Sequence, residues 1–319
     1  MTLLFLLTSC SSEKQEKLEI STTTWIGYSP LFYAKEKGWL KPLNIKLMHV
    51  SSLSENMYLY QAGNADAYVG TQYEYNMLIK KEPSLIPVML FDRSNGGDVV
   101  MSNLSIEELQ KSTEPINAYL EMDSVNSTLL EDFIQNYNLH EKQINYINRD
   151  QTSISTLSSS TVKNAIIVTY IPYDIELNKH GFKSIASTKD NLNLLVIDAM
   201  FTTEKTFSKH QKQFSELKKL VDRAVDVLEK NPREFYKMVK PYLLELNYEE
   251  FIQSTQDIEW INKNISPELK QCKVECKIHF TRFEMFIYLT SVKQKYISRV
   301  EATHERVTFS YHRFDLTCY

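Results

Sequence analysis

The sequence predicts an α/β protein of two lobes, each a mainly parallel sheet flanked by helices, with a hinge between them. Three observations carry that expectation. The chain has 319 residues, more than one hydrophobic core usually serves. Across residues 18–102, short apolar runs alternate with helix-like segments, the rhythm of parallel strands with helices on both faces. Near residues 102–111 the rhythm restarts, as a second half-sheet would.

The elements follow in order. Leu18-Glu-Ile-Ser21 alternates apolar and polar residues and reads as the first strand. Gly27 gives a permissive backbone where that strand stops. Ser29 is expected to N-cap a helix with Pro30 at its first position, where no N–H partner is needed; Gly38-Trp39-Leu40 ends it. Residues 44–50 are a second strand, followed by a helix from Ser54 to about Gln61 that Gly63 stops. Residues 67–70 are a short buried strand and 71–81 a helix. Residues 85–91 and 99–102 are strands around the Asn95-Gly96-Gly97 turn. In the second half, residues 116–121 and 144–148 are strands separated by a helix over 124–137. The Ser/Thr-rich stretch 152–160 either caps a short helix or stays a solvated loop. Residues 164–170 are a buried strand; Tyr170-Ile-Pro-Tyr173 ends it and starts a helix that Gly181 stops. Residues 192–198 return the chain to the first lobe. From Thr202 to about residue 263 the pattern is amphipathic helix, with Phe214, Leu217, Leu220, Val221, Ala224, Val225 and Leu228 at three- and four-residue spacing.

Composition narrows the function classes. Hydrophobic content of 43% and charge of 24% are ordinary for a soluble globular chain. A net charge of −4 gives no reason to expect nucleic acid or an anionic membrane surface as partner. Six of the seven glycines fall in the first hundred residues, at the turns of the first lobe.

Three segments resemble a known family in order and spacing. They are Trp25-Ile-Gly-Tyr-Ser-Pro-Leu-Phe-Tyr-Ala-Lys-Glu-Lys-Gly-Trp-Leu40, then Gln61-Ala-Gly-Asn-Ala-Asp-Ala-Tyr-Val-Gly-Thr71 followed by Glu74, then Phe91-Asp-Arg-Ser-Asn-Gly-Gly-Asp98. Together they look like the motifs of periplasmic solute-binding proteins of ABC importers, in the nitrate, sulfonate, taurine and thiamine-pyrimidine-precursor group. The resemblance covers residues 17–205 well, fades to about 262 and is absent beyond. It implies the two-lobed periplasmic-binding-protein type II fold and a small-molecule ligand held in an interlobe cleft. It also implies an ABC permease as partner, no enzymatic activity and no cofactor, and a monomer is expected. Lobe one is expected over 17–102 and 195–269, and lobe two over 103–194.

Cleft candidates lie at strand carboxyl ends and helix starts, where open α/β sheets bind ligands. From lobe one they are Trp25, Tyr28, Ser29, Thr71, Glu74, Ser94, Gly97 and Asp98; from lobe two, Ser124, Val125, Asn126, Ser127, Tyr170 and Tyr173. Each has a structural alternative. Trp25, Tyr28 and Tyr170 could be core. Thr71 and Glu74 could form a Thr-x-x-Glu capping box. Asp98 could stabilise its turn, and residues 124–127 could simply cap a helix. Aromatic groups with Glu74 and Asp98, and Arg93 the one basic residue in these motifs, favour a flat pyrimidine-like or amine-bearing solute over a sulfonate or nitrate.

At the N-terminus, Met1-Thr-Leu-Leu-Phe-Leu-Leu-Thr-Ser-Cys10 is too short to span a bilayer and fits the tail of a secretory signal. Leu7-Thr-Ser-Cys10 resembles the bacterial lipobox. Residues 1–16 therefore read as signal remnant and tether, with Cys10 lipidated, and the protein as periplasmic and lipid-anchored to the envelope. Residues 270–319 do not match the family's ending. There, Cys272, Cys276 and His279 lack standard zinc spacing, so no metal site is expected, while a disulfide among Cys272, Cys276 and Cys318 is left open. Two other functions stay in view. One is a ligand-sensing domain of a signalling system. The other is a synthase-like enzyme of the thiamine-pyrimidine branch, which would implicate His49 or a cysteine, although no nucleophile–base pair appears.

Overall fold

The computed structural model describes residues 15–189, 192 and 194–263. Cys10 and the 270–319 tail lie outside the described residues. Two sheets organise the chain. The first has six strands in the order β11-β4-β10-β3-β1-β2: β1 Leu18–Thr22, β2 Ile45–His49, β3 Ala67–Thr71, β4 Leu85–Ser94, β10 Ile197–Thr203 and β11 Ile258–Trp260. β1 pairs in parallel with β2 and β3, whereas β10 runs antiparallel between β3 and β4. The second has five strands in the order β7-β6-β8-β5-β9: β5 Asp98–Ser102, β6 Ile116–Leu120, β7 Ile144–Asn148, β8 Ala165–Tyr170 and β9 Lys183–Ser187. β6 is parallel to β7 and β8, and β5 runs antiparallel to β8 and β9.

Membership of β5 differs from the expectation. Residues 99–102 read as a strand of lobe one, but β5 is buried along its whole length in the second sheet. The chain crosses between sheets at Asn95–Gly97, not after Ser102. Asn95 N–H donates to the Asp257 carbonyl at 2.9 Å, and Gly96 adopts φ +120°. That conformation suits glycine. β9 was not anticipated; its exposed-to-buried pattern lacks the apolar alternation by which a strand is read.

Ten α-helices pack around the sheets among the described residues. In the first lobe, α1 Ser29–Glu36, α2 Leu53–Gln61 and α3 Gln72–Leu78 follow β1, β2 and β3. In the second, α4 Ile106–Lys111, α5 Val125–Asn136, α6 Gln151–Ser155 and α7 Tyr173–Lys179 surround the sheet. The chain then returns through β10 into α8 Glu204–Lys230, α9 Pro232–Val239 and α10 Tyr248–Thr255. Ser29 is not the cap of α1. It lies inside the helix, Tyr28 precedes it, and Pro30 stays in the first turn where its missing N–H is harmless. The apolar stripe of α8 is core: Phe214, Leu217, Val221, Ala224 and Leu228 join α1, α9 and the first sheet in one cluster. This cluster also takes in Val125, Tyr170, Ile171 and Tyr173 of the second lobe, so the lobes are closed on each other. No helix among the described residues is long and apolar enough to cross a membrane.

Candidate functional site

The carboxyl ends of β1, β3 and β4 meet those of β6 and β8 between the lobes. Just past β1, Trp25 is 6% exposed, and its indole N–H donates to Asp92 Oδ1 at 3.0 Å. Its ring meets Tyr170 of lobe two edge-on, centroids 5.9 Å apart, and Tyr170 meets Tyr173 the same way at 5.4 Å. Two glycines make this approach possible. A Cβ at Gly27 would collide with the Asp92 carboxylate and the Trp25 indole. One at Gly97 would lie 2.5 Å from the Trp25 ring.

Beneath the aromatic groups lies an acidic interior. Five carboxylates, Glu74, Asp92, Asp98, Glu121 and Asp198, are buried there, while the buried polar set of the described residues holds no lysine or arginine. Their mutual repulsion links them: Glu74 acts on Asp98, Glu121 and Asp198, and Asp98 on Asp92 and Asp198. Burial, the largest cause throughout, disfavours the charged form. It pushes Asp92 and Asp198 well above the usual carboxylate range. Asp98 rises to about 7, held back by the Ser94 hydroxyl. Glu121 also rises to about 7, held back by bonds from Ser54 and Ser52. Several polar atoms in this region have no hydrogen-bond partner: Asp92 Oδ2, Asp98 Oδ2, Glu121 Oε2, Asn126 Oδ1, Tyr170 Oη and Ser29 Oγ.

Two acids also join the lobes reciprocally. Glu74 Oε1, from α3 in lobe one, accepts the Val125 N–H at the start of α5 in lobe two at 3.0 Å. Glu121 Oε1, just past β6 in lobe two, accepts the Ser54 N–H and hydroxyl at the start of α2 in lobe one, at 3.0 and 3.1 Å. Each carboxylate thus satisfies free N–H groups at a helix start in the opposite lobe, where negative charge is favoured.

The remaining candidates divide by location. Thr71 and Glu74 form the capping box of α3, with the Thr71 hydroxyl donating to Glu74 Oε2 at 2.6 Å. Ser124 caps α5 and donates to the Glu121 carbonyl at 2.7 Å. Asn126 donates to the Val168 carbonyl at 3.0 Å and keeps its own carbonyl oxygen free. Ser127, half-buried in the first turn of α5, donates its N–H to the Ser124 carbonyl at 3.1 Å. Ser94 bonds Thr188 at the crossing, at 2.8 Å. Tyr173 reaches Thr24 across the lobes. Tyr28 is drawn into lobe one: its hydroxyl donates to Asp198 and its ring packs on Phe91. Arg93 points to the other face of β4, as alternation requires, and pairs with Glu259 at 3.2 Å. His49 bonds Thr24 Oγ1 at 2.7 Å and packs on Phe32.

Sequence reasoning missed Asp92, Asp198 and Glu121. Asp92 sits inside the Phe91–Asp98 motif, two residues from Ser94 and hence on the same strand face. Asp198 follows the apolar run Leu194-Leu-Val-Ile197, and an acid entering a buried strand is itself a signal. Glu121 closes a strand just before a helix cap. Among the described residues, no three of His, Cys, Asp and Glu converge to hold a metal ion.

The family profile described as NMT1/THI5 like matches residues 25–235. Three solved structures share the fold. The ligand-binding component of an ABC-type import system from Staphylococcus aureus, with zinc bound, is 12% identical with a TM-score of 0.64, covering 88% of this chain and 99% of its own. The alkanesulfonate-binding protein SsuA from Xanthomonas axonopodis pv. citri, bound to MOPS, is 11% identical with a TM-score of 0.63, covering 85% and 94%. The periplasmic aliphatic sulphonate binding protein SsuA from Escherichia coli is 11% identical with a TM-score of 0.62, covering 88% and 97%. Comparison with curated protein sequences gives no match.

Proposed function

The chain belongs to the NMT1/THI5-like family, and from that premise we propose that it is an extracytoplasmic solute-binding protein that captures a small amine-bearing molecule between its lobes and delivers it to an ABC permease. No bond is made or broken. One observation carries the ligand class: five buried carboxylates gather where the lobes meet, with no buried lysine or arginine among the described residues. An oxyanion in that place would add charge beside acids that burial already disfavours from ionising, whereas a protonated nitrogen would favour their ionised form. Trp25, Tyr170 and Tyr173 add ring faces and edges suited to a cation or a flat ring. The reading therefore differs from the two SsuA proteins of similar fold, which are named for sulfonate binding.

Capture proceeds by closure. In the open state Glu74 and Glu121 lose the helix starts they accept across the lobes, so the closed arrangement is the one in which both are satisfied. A ligand adds its differential affinity for that state. The protein works as a monomer, held to the membrane only through acyl chains on Cys10. Mass spectrometry of molecules that co-purify, followed by a thermal-shift screen of amines, aminopyrimidines, sulfonates and nitrate, tests the reading. Stabilisation by amines or aminopyrimidines supports it; stabilisation by sulfonates or nitrate alone overturns it.

A further inference from the structure

We infer that the Ser94 and Thr188 hydroxyls form a clip that joins the two connections between the lobes and fixes the pivot about which they open. It rests on the opening and closing proposed above and locates the axis of that motion.

Two chain segments cross between the sheets. One leaves β4 at Ser94 and enters β5 at Asp98; the other leaves β9 after Ser187 and enters β10 at Ile197. Backbone bonds hold the two connections together on either side of the crossing. On the lobe-one side the Ser94 N–H donates to the Val196 carbonyl at 3.0 Å, and on the lobe-two side the Thr188 N–H donates to the Asp98 carbonyl at 3.0 Å.

Side chains close the gap between those bonds. Thr188 Oγ1 lies 2.8 Å from Ser94 Oγ and accepts the Gly96 N–H at 2.9 Å. Ser94 Oγ accepts the Asp98 N–H at 2.9 Å. The last residue of β4 is thus tied to the first residue of β5 and to the residue that follows β9, both of the other lobe. Each N–H can only donate, so each hydroxyl accepts one, and the proton between the hydroxyls joins the two acceptors into one network. Ser94, Asp98 and Thr188 are all buried, so water does not readily replace a bond lost here.

Place in the fold makes this clip a pivot. Atoms near a rotation axis move least. The clip sits within the crossing segments, whereas Glu74–Val125 and Glu121–Ser54 join the lobes through helix starts outside them. Opening therefore breaks the helix-start bonds and leaves the clip intact. Ser94, a cleft candidate by sequence, serves the hinge.

Amide hydrogen exchange resolved by NMR, on the protein without added ligand, tests this. The Gly96 and Asp98 amides are expected to be protected at least about tenfold more strongly than those of Ser54 and Val125, which lose their acceptors at each opening. Thr188→Val removes the hydroxyl at nearly constant shape and should speed Gly96 exchange at least about fivefold, the worth of one buried hydrogen bond. Thr188→Ser keeps the hydroxyl and should restore wild-type protection. Circular dichroism melts check that the Val variant folds; if it does not, the wild-type comparison alone decides. Gly96 and Asp98 exchanging as fast as Ser54 and Val125 overturns the pivot and leaves capture by closure intact. Unchanged Gly96 exchange in Thr188→Val overturns the clip in the same way. Ser54 and Val125 protected as strongly as the buried amides of β8 would mean that the lobes stay shut, which overturns both.

Discussion

Lowering the pH from about 8 to about 6 perturbs the acidic interior selectively, because Asp98 and Glu121 both titrate at about 7. Each is about nine-tenths ionised at the upper pH and about one-tenth at the lower. A cation must displace the proton from every acid it uses. Its affinity should therefore fall about tenfold if it uses one of the two, and about a hundredfold if it uses both. Stability of the empty protein moves the other way. The folded pKa of each acid lies above its unfolded value near 4, so the fold favours the neutral form. That contribution is fully present below about 4 and is lost as pH rises through about 7. Acidification across this window restores about 1.4 kcal/mol per group, about 3 kcal/mol for the pair. Calorimetric titration with an amine at several pH values reads the first effect, and urea unfolding of the empty protein reads the second. Amine affinity that holds steady or rises on acidification would refute the reasoning, as would an empty protein that weakens in acid over the same window.

Three further outcomes are expected. Gly97→Val puts atoms where the Trp25 ring lies, 2.5 Å from the first added carbon. Urea unfolding should show a loss of about 1–3 kcal/mol, and ligand affinity should fall with it. Trp25→Phe removes the indole bond to Asp92 but keeps a ring beside Tyr170. It should cost about 1–3 kcal/mol because a buried carboxylate oxygen loses its donor, and thermal shift should show weaker ligand stabilisation; Trp25→Ala would confound the two effects by opening a core cavity. Cys10→Ser should move the protein from the membrane to the soluble fraction on cell fractionation; persistent membrane association would remove the lipid-anchor proposal.

Much of the fold was legible because its signals are local. The Thr71-x-x-Glu74 box and Ser124 each announce a helix start by chemistry that needs only neighbours, and each caps a helix as its residue type predicts. The crossing between lobes was misplaced by a few residues because Asn95-Gly96-Gly97 reads locally as a turn between consecutive strands. Only the long-range pairing of Asp98–Ser102 with β8 and β9 shows that the two strands belong to different sheets. The site was half legible for the same reason. Trp25, Glu74, Asp98 and Tyr170 were candidates from their positions at strand ends. Asp198, which meets Tyr28 over a separation of 170 residues, and Glu121, which meets Ser54 over 67, have roles that exist only once the lobes are assembled. Tyr28 illustrates the converse. Its polar-aromatic turn suggested exposure, but Asp198 holds its hydroxyl and Phe91 its ring within lobe one.

Small-angle X-ray scattering of the protein with and without ligand tests most directly whether cation capture drives the lobes together. A radius of gyration that contracts with a saturating amine, and stays unchanged with taurine or nitrate, is the predicted result. Contraction with either anion and none with any amine would contradict the account.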